Sequence, residues 1–243
     1  MQLINKHILI TGGTSGIGLK IIEKLYPQNI VYVIARNATK IDALRQRFPK
    51  LKAYHADLAN SISLYNAIKT LQSDTKTLDI LINNAAIQHA NQLTDKHCSV
   101  DAMHEEISVN FATICSLCFW CLPMLASQQT SIILNVNSGL GLVPKGSSAV
   151  YCATKSALNS FSLSLRHQLT DTSVKVLQAF LPMVKTPMTE GRGSNKISAD
   201  SAASAIIKGI ENLTLDNDIG KVKLLRILSR LSPSMALRIM RKY

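Results

Sequence analysis

Short unbroken apolar runs alternate along the chain with longer stretches in which apolar residues recur every three or four positions. The runs HILIT (7–11), IVYVIA (30–35), KAYHA (52–56), DILIN (79–83), SIILNV (131–136) and VKVLQAF (174–180) are too short for typical helices. They are also too continuous for strands wetted on one side, so they predict six parallel strands buried on both faces. Between them GLKIIEKLY, ATKIDALRQRF, SLYNAIKTLQ, residues 107–126 and residues 151–169 have helical period and length. Alternation of this kind predicts an α/β fold with one doubly wound parallel sheet flanked by helices on both faces. Past Leu181 the pattern loosens into PMVKTPMTEGRGSNKIS, rich in proline and glycine, which predicts a mobile substrate loop at 182–198 before a helix at 199–213. Near the end, Leu224, Ile227, Leu228 and Leu231 share one face of a helical wheel, with Arg226, Ser229 and Arg230 on the other. This predicts an amphipathic helix over 222–231 that Pro233 ends or redirects, its apolar face docked on the domain or on a neighbouring subunit.

Length and charge refine that picture. A chain of 243 residues suits one domain spanning 1–243 with one substantial core. The net charge of +12 is unevenly placed: residues 221–243 hold Lys221, Lys223, Arg226, Arg230, Arg238, Arg241 and Lys242 and no acid. This basic segment suits weak contact with an anionic membrane or an acidic carrier. Neither a nucleic-acid motif nor a stacking platform is present, so no nucleic-acid partner is expected. The segment 107–130 is uncharged and long enough for a membrane span, but Asn110, Pro123 and its Ser and Thr residues suit a buried helix better. The opening MQLINKHILITGG has no basic-then-apolar leader pattern, and the expected location is cytoplasmic.

Five cysteines, an odd number, point to reduced thiols. Cys115, Cys118 and Cys121 have the C-x2-C-x2-C spacing of an iron–sulfur run, but the fourth Cys and following Pro are missing, and packing is the simpler role. His55, His89, His97 and His104 lack zinc-like pairing, so no metal is expected.

Two stretches carry chemistry. The first predicted strand runs into TGGTSGIG, Thr11 to Gly18, which opens a helix; glycines there permit a tight turn and close approach of a pyrophosphate to the helix N-terminus. In YCATK, Tyr151 and Lys155 stand four apart on one helix face, so a phenol and an ammonium reach one site. A nearby cation favours the phenolate, which suits the pair to acid/base work.

Residues 7–186 resemble the short-chain dehydrogenase/reductase family, whose pattern is TGxxxGIG, NNAG, a catalytic Ser, then YxxxK. Here these are Thr11 to Gly18, NNAA at 83–86, Ser138 and Tyr151 to Lys155, in order and at the expected separations. The departures are Ala86 for the usual glycine and Pro182-Met183 for the usual Pro-Gly. The tail and the loop after Leu181 look similar, more weakly, to a bacterial DltE-type oxidoreductase subgroup associated with D-alanine esterification of teichoic acids. The resemblance implies a single Rossmann-type domain and hydride transfer between a nicotinamide and a small-molecule carbonyl or alcohol. Tyr151 would be the acid/base, its phenol pKa lowered by Lys155; Ser138 would position the substrate oxygen and Asn110 would hold a proton-relay water. Cofactor contacts would come from Gly12, Thr14, Ser15, Gly16, Ile17, Gly18, Asn84, Tyr151, Lys155 and Thr186, with Asp57 at the adenine. At the end of the second strand Ala35 and Arg36 stand where cofactor choice is made, and a base there accommodates a 2′-phosphate, so NADP(H) is expected over NAD(H). The family commonly pairs the helices at 107–126 and 151–169 across a two-fold axis, implying a homodimer or homotetramer. A nucleotide-sensing protein of the same fold is the alternative, though its usual sign, a broken Ser, Tyr or Lys, is missing.

Overall fold

The computed structural model describes residues 1–89, 92–96 and 98–241, so His97 and Lys242 fall outside it. Six strands stand where the apolar runs predict them: β1 (His7–Thr11), β2 (Ile30–Ala35), β3 (Lys52–His55), β4 (Ile80–Asn83), β5 (Ser131–Ser138) and β6 (Val174–Leu181). The helices α1 (Gly16–Leu25), α2 (Ala38–Arg47), α3 (Ser61–Asp74), α4 (Val100–Ile107), α5 (Thr113–Ala126), α6 (Ala149–Gln168) and α7 (Ala199–Glu211) separate or follow them. Two short strands, β7 (Val184–Lys185) and β8 (Ile197–Ser198), pair within the loop region, and β9 (Asp216–Asp218) joins the main sheet. That sheet is parallel throughout, in the order β3-β2-β1-β4-β5-β6-β9.

The strands read as unbroken apolar runs because both of their faces are covered. Ile8 and Ile10 point into a core shared with Ile21 and Ile22 of α1, Ile41 and Leu44 of α2 and Ile206 of α7. Leu9 points the other way, into a core with Leu64 and Ile68 of α3, Leu117 and Cys121 of α5 and Leu158 of α6. Strand order reverses between β1 and β4, which opens a crevice at the carboxyl ends of the strands, the usual ligand site of such sheets.

A seventh sheet strand corrects the predicted six. Its residues, Asp216-Asn217-Asp218, are wholly polar and carry no strand signal. Side chains hold it instead: Arg166 Nη2 pairs with Asp216 at 2.9 Å, and Asn217 Nδ2 donates to the Ala205 carbonyl at 2.9 Å. Gly209 leaves room for that amide, since a Cβ there would lie 2.3 Å from Asn217 Nδ2.

The uncharged stretch forms the carboxyl part of one long helix, Val100–Ala126, interrupted by a π-helical turn at Ser108–Ala112. It is apolar and long enough to cross a membrane by composition, and half of its most apolar window is buried against the sheet and its neighbours. The tail forms α8 (Val222–Leu231) and α9 (Pro233–Met240), with Pro233 redirecting the chain as predicted.

The orientation of α8, however, is rotated from the predicted one. Arg226 faces inward, its guanidinium 2.5 and 2.7 Å from the Asp218 carboxylate and 4.4 Å from the centre of the Phe180 ring. Val222 and Leu225 cover Gly139. Three of the four predicted core residues are outside, Leu224, Ile227 and Leu231 being 69, 54 and 80% exposed, while Leu228 is half-buried and Arg230 is exposed as predicted. A wheel sorts residues into opposite stripes, and the choice between them was made by Asp218, on the strand that the apolar pattern does not reveal.

Candidate active site

The nucleotide cradle is built where β1 ends. Gly12 and Gly16 hold φ of +70° and +54°, backbone that side chains rarely adopt. Gly18 is fixed by space: a Cβ would lie 2.4 Å from the Gly12 carbonyl and 2.7 Å from Asn84 Nδ2. That Asn84 amide donates to the carbonyls of Thr11 (3.0 Å) and Gly12 (3.2 Å), and its backbone N–H donates to Thr11 Oγ1 (3.1 Å), locking the NNAA segment to the glycine turn. Ser15 takes extended backbone before α1 without capping it, and the first turn, which includes Ile17, holds no acid. The helix therefore presents unspent N–H groups, with Thr14 and Ser15 beside them, which suits a pyrophosphate. Thr186 closes the cradle from the far side, its side chain 3.2 Å from the position of a Gly16 Cβ. A nicotinamide dinucleotide fits this set of groups.

At the other end of the crevice the Ser138 side chain lies beside the Tyr151 phenol and favours its ionised form. Ser138 ends β5, where its N–H donates to Asn137 Oδ1 at 2.8 Å and its Oγ accepts from the Leu140 N–H at 3.1 Å. Lys155, one helical turn beyond Tyr151, is 2% exposed and donates through Nζ to the Val136 carbonyl at 2.9 Å. Burial pushes its pKa down to about 8. Burial raises the Tyr151 phenol, and the Ser138 side chain opposes that rise. The expected lowering by Lys155 is not found in the free protein: its Nζ lies 5.7 Å from the Tyr151 ring centre and is spent on Val136.

Asn110 is fully buried inside the π-helical turn, a feature frequent at functional sites. Its amide makes a reciprocal pair with Ile87, accepting from the backbone N–H at 2.9 Å and donating to the carbonyl at 2.8 Å. The side chain thus clamps the segment after β4 onto the long helix. Asp57 lies after β3, its Oδ1 accepting from the Ala59 N–H at 3.0 Å. Arg36 lies beyond the end of β2, mostly exposed, with Nη1 3.0 Å from Glu105 Oε1; Glu105 also meets His89 Nε2 at 3.2 Å.

Other parts of the site were missed by sequence reasoning. A row of buried amides crosses the strands behind Ser138 and Tyr151. Asn83 donates to Asn135 (2.8 Å) and Asn135 to Ser162 Oγ (2.8 Å), while Asn137 donates to Gln178 (3.0 Å) and Gln178 to Asn159 (3.0 Å). They tie α6, which carries the Tyr and Lys, to β4, β5 and β6. Their signal was present: amides at positions that otherwise read as fully buried strand. A second omission, the buried carboxyl of Glu106 on α4, lines a small cavity beside Tyr151.

Cys118 and Cys121 pack in the core, and burial pushes the Cys121 thiol up to about 12. Among the described residues no group of three or more His, Cys, Asp or Glu could hold a metal ion.

Residues 6–197 match the family described as short chain dehydrogenase. A Bacillus subtilis (strain 168) protein, named uncharacterized oxidoreductase DltE, is 35% identical over 191 residues, 78% of this chain and 76% of its own. A short chain dehydrogenase from Burkholderia cenocepacia J2315 in complex with NADP has the same fold, with a TM-score of 0.88 at 21% identity over 99% of both chains. So does one from Burkholderia phymatum in complex with NAD, with a TM-score of 0.82 at 18% identity over 95% of this chain and 96% of that one.

Proposed function

The chain belongs to the short-chain dehydrogenase family, and from that premise we propose that it is an NADP(H)-dependent carbonyl reductase or alcohol dehydrogenase with Tyr151 as its acid/base. The observation that carries the reading is the Tyr151–Ser138 hydroxyl pair beside a buried lysine, in the same crevice as the nucleotide cradle. When bound, the cofactor supplies or accepts the hydride. In the reductive direction negative charge grows on the carbonyl oxygen, and Tyr151 Oη donates its proton there. Ser138 Oγ orients that oxygen and shares the developing charge.

Burial keeps the Tyr151 phenol protonated and ready to donate. The reverse direction needs phenolate, which Lys155 and the positive ring of the oxidised cofactor favour. Lys155 also serves the ribose hydroxyls, and Asn110 holds the loop geometry behind a relay water. Asp57 takes the adenine edge, and Arg36, released from Glu105, takes the 2′-phosphate. Exposed ion pairs are worth about 0–1 kcal/mol, so that exchange costs little.

The domain is proposed as one unit over 1–243 acting in the cytoplasm, with 182–198 moving over bound substrate and subunits pairing through α5 and α6. A contact of the tail with an anionic surface is favoured by the outward Leu224, Ile227 and Leu231. A purely nucleotide-sensing role predicts no turnover. The test is an NADPH-oxidation screen across aldehydes, ketones, quinones and acyl thioesters, with Tyr151→Phe as the blank. Turnover by the native protein that the blank lacks is expected; no turnover on any class, despite cofactor binding, overturns the enzymatic reading in favour of sensing.

A further inference from the structure

Beside Tyr151, α4 and the start of α6 enclose a cavity of about 20 Å³, bounded by His89, Cys98, Ser99, Glu106, Ser148 and Tyr151 among others. That is room for one water-sized group. Most polar side chains on its wall are satisfied. Ser99 Oγ accepts from the Ala102 N–H, and Ser148 Oγ donates to the Ser147 carbonyl and accepts from Gln88. His89 meets Glu105, and Tyr151 meets Ser138.

Glu106 is different. It is 4% exposed, and its Oε1 has no hydrogen-bond partner. Burial raises its pKa, while the backbone of His89 beside the carboxyl, the His89 ring and, from a distance, the charge of Arg192 favour its ionised form. A buried carboxylate oxygen left unpaired costs free energy comparable to a lost charged hydrogen bond, so its position calls for a donor. Among the described residues no side chain on the cavity wall supplies one. The gap is adjacent to the phenol proposed to protonate the substrate oxygen.

We propose that this cavity is a substrate subsite, in which Glu106 receives an ammonium group carried on the carbon next to the reacting carbonyl. An ammonium is water-sized, brings three donors, and neutralises a carboxylate that forms no ion pair with a cation among the described residues. Glu106 is then a specificity-determining residue, selecting amino ketones and amino alcohols over apolar analogues of the same shape. The inference rests on the reading of the Tyr151 site as a carbonyl reductase.

Three near-isosteric probes test it: aminoacetone, hydroxyacetone and butanone, each assayed by NADPH oxidation. The native protein is expected to favour aminoacetone over butanone by about tenfold or more in kcat/KM. In Glu106→Gln, with an unchanged melting temperature, that ratio should collapse toward one. If none of the three turns over, their affinities for the NADPH-loaded protein, read by nucleotide fluorescence, are compared in the same ratios. Failure of all turnover thus counts against the enzymatic reading alone. Equal handling of aminoacetone and butanone overturns the subsite, as does a preference for hydroxyacetone over both. An equal fall for all three substrates in Glu106→Gln, the mark of a buried water or a structural role, also overturns it. The native ratio needs no variant, so the proposal stands or falls even if Glu106→Gln does not fold.

Discussion

Lys155 is a buried cation whose only hydrogen bond among the described residues goes to a backbone carbonyl, and that isolation makes its charge conditional on pH. Its folded pKa of about 8 lies below the ordinary 10.5. Between those values the unfolded chain keeps a proton that the folded one has released, so this site adds stability as pH rises through the window. Melting temperatures from pH 7 to 10 should show that gain in the native protein and lose it in Lys155→Met; parallel curves would refute the assignment. Turnover should move the other way, since a neutral Lys155 supports neither ribose nor phenolate, and kcat/KM is expected to fall above about pH 8. Tyr151→Phe should lower kcat by about 10²–10⁴-fold, the usual worth of a positioned proton donor, and leave NADPH affinity unchanged. Retention of most activity would sink the mechanism. At the cofactor's other end Glu105 holds Arg36, the residue proposed to take the 2′-phosphate. Glu105→Gln should therefore tighten NADPH binding and leave NADH binding alone, whereas Arg36→Ala with Ala35→Asp should reverse the preference. Equal effects of Glu105→Gln on both cofactors, by calorimetry, would remove Arg36 from phosphate recognition.

At the scale of elements, what burial dictates could be read in the sequence and what side-chain pairing dictates could not. Six strands were legible because each is covered on both faces, and periodicity reports burial. β9 was not, because Arg166, Arg226 and the Ala205 carbonyl hold its three polar residues from distant parts of the chain. The chemistry-bearing residues were legible in a different way: the glycine turn and the Tyr–Lys spacing are local, whereas the amide row and Glu106 acquire meaning only when the fold joins strands and helices. That row makes a prediction of its own. Asn137 supports the Ser138 N–H through Oδ1 and Gln178 through Nδ2, with Asn137 itself 2% exposed. Asn137→Ala leaves both partners short inside the protein and should destabilise it by about 1–3 kcal/mol. Because it also frees the backbone at Ser138, kcat should fall with NADPH affinity kept; a stable variant with full kcat would show the row to be dispensable.

For the molecule as a whole, the unevenness of charge matters more than its sum. The outward stripe of Leu224, Ile227 and Leu231 on α8 continues into Met235, Leu237 and Ile239 on α9, each 42–80% exposed. Around it stand Lys221, Lys223, Arg230, Arg238 and Arg241, all exposed, with no acid from residue 221 onward. Two such tails facing each other would bring ten like charges together, so a second copy is an unfavourable cover for this face. Phe119 on α5, 74% exposed, offers a copy a neutral alternative, and if the proposed oligomer forms there, Phe119→Glu should give a monomer in light scattering where the native protein does not. An anionic bilayer suits the tail better: apolar side chains enter the boundary between headgroups and acyl chains while lysines and arginines stay at the phosphates, at about 1 kcal/mol for each basic residue near the surface. Arg226 is excluded from that sum, being committed to Asp218. Binding of this kind is screened by salt, since exposed charges feel each other over a Debye length of about 10 Å at 0.1 M and about 3 Å at 1 M. The protein should therefore co-sediment with phosphatidylglycerol-containing vesicles at low salt and not with phosphatidylcholine vesicles. High salt should release most of it, and Leu224→Asp with Leu231→Asp should abolish binding without changing NADPH affinity. Equal sedimentation with both lipids, or none at low salt, would show that the outward leucines meet something other than a membrane.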